Sequence, residues 1–290
     1  MSIVEKAIDK LRQSRDQTGE QPKQTTAASA GPMASLERAR EAAAAEPDKL
    51  KKPVLKIDRV QLCRKGLYPS QAMATRVGDE FRRLKRPLLA AINAPAGSPA
   101  SSHANRIMIT SAEIGEGKSF TAMNLALSLS LEHEHDVLLV DGDVLRRSLS
   151  SALGLGNHLG FTELLSDPGR NPEDVLVPTD VDGLVILPSG SRHEMSSELF
   201  SSRRMASMMN RMASPEGRIV IVDSPPILGA AETLALATYL QQIVMVVRAG
   251  VTLEHKVKTA LELLESEQDK LIRLVLNQNT GAHGNYYYYY

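Results

Sequence analysis

An apolar strand, Ile107 to Thr110, runs into Ser111-Ala112-Glu113-Ile114-Gly115-Glu116-Gly117-Lys118-Ser119 and from there straight into a helical pattern reaching Glu132. Few chain geometries tolerate that join. Glycines let backbone N–H groups curl around an anion, and the following helix N-terminus adds the positive end of its dipole. A lysine at position 118 then reaches the outer phosphates of a nucleotide, and the Ser119 hydroxyl is placed to ligate Mg²⁺. The spacing is that of a Walker A phosphate loop, with Ala112 where its first glycine usually stands.

Downstream the pattern repeats. Apolar strands at 107–110, 137–141, 184–187, 219–223, 243–247 and 271–276 alternate with helical segments, notably 119–132, 196–212 and 254–267. Short apolar strands separated by helices predict an α/β fold: a mostly parallel sheet with helices on both faces. Met195, Met205, Met208, Met209 and Met212 cluster on one helix and read as adaptable packing.

Composition closes other routes. No run approaches the roughly 18 apolar residues of a membrane span, and charges interrupt the N-terminus, MSIVEKAIDKLRQSR, where a secretory signal needs an apolar core. Cys63 is the only cysteine, which removes an internal disulfide framework and any Cys-based zinc site. Thirty-four basic side chains against 34 acidic ones argue against a nucleic-acid partner. The expected location is the cytoplasm.

Residues 2 to 14 read as a short amphipathic helix, with Ile3, Val4, Ala7, Ile8 and Leu11 on one side. Ala, Gln, Glu, Pro and Ser then dominate to Lys52, a linker composition. The expected organisation is a flexible N-terminal extension at 1–60, a phosphate-loop domain at 61–277 and a tail at 278–290. That tail holds five of the chain's seven tyrosines, Tyr286, Tyr287, Tyr288, Tyr289 and Tyr290, at an end that usually frays. Packing does not place aromatics there.

Two acidic motifs complete the pattern. The strand at 137 ends in Val140-Asp141-Gly142-Asp143, followed by Val144-Leu145-Arg146-Arg147. Carboxylates at a strand's C-terminal end lie where open α/β sheets bind ligands, and they hold Mg²⁺ or accept a proton from an attacking hydroxyl. Asp143 equally suits a turn or helix cap. The strand at 219 ends in Asp223-Ser224-Pro225-Pro226, a Walker B pattern.

AEIGEGKS, LLVDGDVLRR, IVIVDSPP and the tyrosine cluster, in that order, resemble the bacterial tyrosine kinases, P-loop protein kinases of capsule and exopolysaccharide synthesis. The likeness spans roughly residues 79 to 290. It implies a P-loop NTPase-like fold, ATP and Mg²⁺ as cofactors, and Lys118, Asp141, Asp143 and Asp223 as catalytic residues. ATP contacts are implied for Gly115, Glu116, Gly117, Lys118, Ser119, Phe120 and Asn277, and metal ligation for Ser119, Asp141 and Asp223. The five terminal tyrosines become the phosphoacceptors. The family's ExxRxxR oligomerisation helix matches Glu80, Arg83 and Arg86, with Asp79, Arg82 and Lys85 as a shifted register that fits nearly as well.

Many members carry two membrane spans and an extracellular-loop domain ahead of the kinase, and this sequence carries neither. The resemblance therefore implies the stand-alone arrangement. In it, a membrane-embedded polysaccharide co-polymerase activates a cytoplasmic homo-oligomer at the inner face of the membrane, and a cognate tyrosine phosphatase opposes it. Either Asp141 or Asp143 serves as the base. Two other readings compete: a partition- or septum-type ATPase, whose signature lysine is replaced here by Glu113, and a nucleotide-gated scaffold without turnover.

Overall fold

The computed structural model describes residues 52–95, 103–192, 196–213, 217–265 and 270–278. The expected N-terminal helix, most of the linker and the tyrosine tail lie outside the described residues. The described residues all belong to one compact unit, which holds the sheet and the described helices.

Two helices lead in, α1 (Arg59–Arg64) and α2 (Ala74–Ile92). Next come β1 (Arg106–Ser111), α3 (Lys118–Leu129), β2 (Val137–Asp141), α4 (Ser148–Ala152), α5 (Phe161–Ser166) and α6 (Pro172–Val175). They are followed by β3 (Val177–Pro178), β4 (Leu184–Leu187), α7 (Ser196–Phe200), α8 (Arg203–Ala213) and β5 (Ile219–Asp223). The chain closes with α9 (Ala231–Ala237), β6 (Gln242–Arg248), α10 (Glu254–Glu265) and β7 (Leu271–Asn277). The described strands form one sheet in the order β3-β4-β2-β5-β1-β6-β7. Every pairing is parallel except β3 with β4. The α/β architecture read from the sequence is the observed one.

Apolar side chains fill both faces of the sheet, as continuous apolar strands require. One face packs α2 and α3 through Phe81, Leu88, Met123 and Leu125. The other packs α5, α7 and α8, including Met205, Met208, Met209 and Met212, which are core residues. The four phenylalanines form one pair per face: Phe81 with Phe120 at 6.2 Å and Phe161 with Phe200 at 5.5 Å between ring centroids.

Three features depart from the sequence expectation. The helix expected over 196–212 breaks at Ser202, whose Oγ donates to the Leu199 carbonyl at 2.6 Å and accepts from the Met205 amide at 3.3 Å. A serine side chain that competes for backbone partners ends one helix and starts the next. The folded unit also begins before residue 61. Leu55 bridges Thr179 along the β3 edge, and the Ile57 amide donates to Asp180 at 2.8 Å. Finally, β3 turns antiparallel over only two residues, too short to leave a periodic signal.

Candidate active site

The sheet register brings the acidic motifs together. Asp141 and Asp223 close adjacent strands β2 and β5 and stand side by side in the ladder. β5 in turn neighbours β1, which feeds the phosphate loop. The loop, both aspartates and the N-terminus of α3 therefore meet at the C-terminal ends of three neighbouring strands.

Gly115 and Gly117 adopt φ of +82° and +99°, a left-handed conformation that side chains resist. Gly117 is constrained twice. A Cβ there would lie 2.0 Å from Asn277 Nδ2, which donates to the Glu116 carbonyl at 2.9 Å. Ala112 needs no such freedom: it is fully buried, and its φ is not among the positive ones. This accounts for the missing first glycine.

Side chains brace the loop from within and from α10. The Glu113 amide donates to Glu116 Oε2 at 2.7 Å, while Thr252 donates to the other Glu116 oxygen and Lys256 pairs with Glu113. Glu116 is thus a buried strut. Lys118 begins α3 almost buried and has no hydrogen bond or ion pair among the described residues; Asp223 feels its charge.

The carboxylates carry the main electrostatic tension. Asp223 is fully buried and neither of its oxygens has a hydrogen-bond partner of normal geometry. Burial first, then the neighbouring Asp141, pushes it up to about 8; the nearby Ser119 hydroxyl and Lys118 pull the other way. Asp141 Oδ2 accepts from the Ser150 amide at 2.8 Å and its hydroxyl at 2.6 Å, leaving Oδ1 without a partner. Burial raises Asp141 to about 6 against those two hydrogen bonds. Uncompensated buried carboxylates are costly unless a cation or proton meets them. Among the described residues no three His, Cys, Asp or Glu side chains cluster to hold a metal by themselves. Ser119, Asp141 and Asp223 could hold a hard cation such as Mg²⁺ only together with oxygens from phosphate or water.

Gly142 explains itself too. Its amide donates to the Asp223 carbonyl at 2.8 Å, and a Cβ would meet Val222 at 2.7 Å. Asp143 caps the following turn, accepting from the Arg146 amide at 3.1 Å. Ser150, Thr252 and Lys256 were not evident from the sequence. Thr252 and Lys256 are remote along the chain from the loop they hold, Ser150 lies in the helix that follows Asp141, and no local spacing marks any of them.

With that geometry in place, likeness to known proteins is specific. The ParA family model, described as an NUBPL iron-transfer P-loop NTPase, matches residues 102–283, more than half the chain. Tyrosine-protein kinase YwqD of Bacillus subtilis is 32% identical over 184 residues, 63% of this chain and 76% of that protein. The chain belongs to the bacterial tyrosine-kinase family of P-loop NTPases. The putative tyrosine-protein kinase CapB of Staphylococcus aureus is 26% identical over 225 residues, 77% of this chain and 94% of that protein. The crystal structure of the chimerical protein CapA2B2 aligns with a TM-score of 0.62 at 25% identity, covering 80% of this chain and 97% of that one. Iron transfer finds no thiolate pair here, since Cys63 stands alone.

Both candidate oligomerisation registers lie on α2, and all their residues but Lys85 are exposed. Glu80, Arg83 and Arg86 all project to solvent from α2, with Glu80 held by Arg76 at 3.1 Å. In the shifted register, Asp79 and Arg82 pair with each other, and Lys85 is buried against Glu132 and the Ser128 carbonyl. Among the described residues no helix is long and apolar enough to cross a membrane.

Proposed function

We propose that the protein is an ATP-dependent protein tyrosine kinase that phosphorylates Tyr286 to Tyr290 of a neighbouring subunit. The observation that carries this reading is the pair of buried, under-partnered carboxylates, Asp141 and Asp223, set in register beside a nucleotide-type phosphate loop. The tyrosine tail supplies acceptors that a plain ATPase has no use for.

The loop amides and the start of α3 cradle the β- and γ-phosphates, and Lys118 offsets the charge that builds on them during transfer. Asn277, seated against Gly117, flanks the nucleotide. Ser119, Asp141 and Asp223 would hold Mg²⁺, which would neutralise phosphate charge. A bond forms from the tyrosine Oη to the γ-phosphorus as the bond to the β–γ bridging oxygen breaks. The phenol proton passes to Asp141 or Asp143. A phenol near pKa 10 asks little of its base. Asp143 spends one oxygen on its own turn, and Asp141 is held rigid by Ser150.

Thirteen residues follow Asn277, a reach of at most about 45 Å, enough to enter an adjacent subunit's site. The exposed Glu80, Arg83 and Arg86 are the surface for that assembly. Each phosphotyrosine adds about −1.5 to −2 charge, so a filled tail gains roughly −8 to −10 and is repelled by another acidic site. A membrane-embedded co-polymerase is the expected activator and a tyrosine phosphatase the expected antagonist, with exopolysaccharide synthesis as the regulated process.

Incubation of the purified chain with Mg-ATP, followed by mass spectrometry, tests the reading. Phosphotyrosine confined to 286–290 and abolished by Lys118→Met is the expected result. Phosphate release without phosphotyrosine would point to a partition-type ATPase instead.

A further inference from the structure

At the end of the sheet opposite the phosphate loop, a cavity of about 260 Å³ opens between α8, the end of α9 and the starts of three strands. Arg106 opens β1, Gln241 precedes β6 and Lys270 precedes β7; His103, Asn210 and Tyr239 complete the principal walls. Three of these six are basic or titratable to a cation, and no carboxylate lines the cavity among the described residues.

Arg106 is the decisive group. It is only 7% exposed, its Nη2 donates to Asn210 Oδ1 at 2.7 Å, and its buried Nε has no hydrogen-bond partner. No described carboxylate pairs with it. A buried guanidinium with a spare donor and no counter-ion is a planar, preorganised receptor for an oxyanion. Lys270 is held nearby by the Thr238 carbonyl at 3.0 Å. The field inside is positive: burial, then the charges of Arg106 and Lys270, hold His103 below its ordinary value.

We infer that this cavity is a phosphotyrosyl-binding site, taking the phosphate on Arg106 and Lys270 and the aryl ring against Tyr239. Its volume matches roughly nine waters at about 30 Å³ each, room for a phosphate together with an aromatic ring. The natural ligand is the phosphorylated tail of this same chain or of a second copy, and that identity rests on the kinase reading above. β7 spans about 23 Å at 3.3 Å per residue. The chain beyond Gln278 extends at most about 40 Å. It can therefore run back from the phosphate-loop end to the cavity, or across to a neighbour. A tail held there is withdrawn from the active sites.

A synthetic peptide of residues 281–290 phosphorylated on Tyr288, titrated by calorimetry into full-length Lys118→Met protein, tests this without needing kinase activity. Binding at least tenfold tighter than that of the unphosphorylated peptide and of inorganic phosphate is expected. It should weaken at least tenfold in Lys270→Gln and in Arg106→Gln, and persist with excess Mg-ADP. Should Arg106→Gln fail to melt cooperatively, Lys270→Gln decides alone. Equal binding of inorganic phosphate, no dependence on phosphorylation, or binding that survives Lys270→Gln but is displaced by Mg-ADP would each overturn the assignment. Failure of autophosphorylation would sink the kinase reading and leave this result standing.

Discussion

The two ends of the sheet hold opposite unbalanced charges. At the C-terminal ends of β2 and β5, Asp141 and Asp223 are buried with oxygens that nothing in the described protein satisfies. At the N-terminal end of β1, Arg106 is buried with a donor in the same condition. Other buried polar side chains are met: Gln242 donates to the Leu88 and Ala104 carbonyls at 3.1 and 2.6 Å, and Asn124 donates to those of Leu67 and Phe120, although ring nitrogens of His135 and the Nε of Arg170 and Arg218 also lack partners. Folding alone does not retain unmatched charges, because each costs stability. In the proposed reading both ends are completed by ligands: cation and phosphate at the carboxylate end, an oxyanion at the Arg106 end.

The comparison breaks most visibly at Lys118. Lys118→Met removes the cation that answers the transferring phosphate, and kcat for tail phosphorylation should fall ~10³-fold with the fold intact by circular dichroism. A fall of less than tenfold would place the phosphate elsewhere.

Asp223→Asn separates function from stability. Turnover should drop ~10²-fold while the nucleotide-free protein gains on the order of 1–3 kcal/mol in denaturant unfolding, since a buried charge disappears. The pH dependence gives the sign. Both aspartates sit above the ordinary 3.8, at about 6 and about 8. The folded chain thus keeps protons the unfolded chain has released. Stability is fully present below about pH 4 and is lost as pH rises through 6 and 8, levelling above. Asp223→Asn should flatten the upper half of that fall, and saturating Mg-nucleotide should suppress it. A slope unchanged by either would remove the carboxylates from the account.

Gly142→Ala sets a Cβ against Val222 and should destabilise the protein by about 1–3 kcal/mol in the same unfolding assay. The smallest effect belongs to Asn277→Ala, which loses one hydrogen bond to the loop: KM for ATP should rise several-fold, about 1 kcal/mol, with kcat nearly unchanged. A collapse of kcat instead would make Asn277 part of the chemistry.

Much of this was legible in the sequence, for identifiable reasons. Strands buried on both faces read as uninterrupted apolar runs, so β1, β2, β4, β5 and β6 were visible, and β7 was visible from its apolar residues although Leu274 and Leu276 are exposed at the sheet edge. The phosphate loop and the strand-end aspartates are local spacings and were equally visible. What escaped depends on tertiary contacts that no local spacing encodes. Ser150 reaches Asp141 only because α4 folds back over β2, and Thr252 and Lys256 reach the loop only because α10 packs beside it. The cavity at Arg106 was invisible for the same reason: its principal walls come from segments as far apart in the chain as His103 and Lys270. Ala112, which looked like a departure from pattern, follows from burial, and Gly142 follows from close strand approach.

In the proposed reaction the buried carboxylate pair beside the phosphate loop supports phosphoryl transfer onto a neighbour's tail. A mixing experiment reads it directly. Lys118→Met protein, with its tyrosines intact, is combined under Mg-ATP with an otherwise active chain carrying Phe at 286 to 290. Phosphotyrosine on the tail of the Lys118→Met chain, dependent on the active partner and lost when that partner carries Asp223→Asn, is the predicted result. A tail that stays unmodified while the mixture hydrolyses ATP would contradict it.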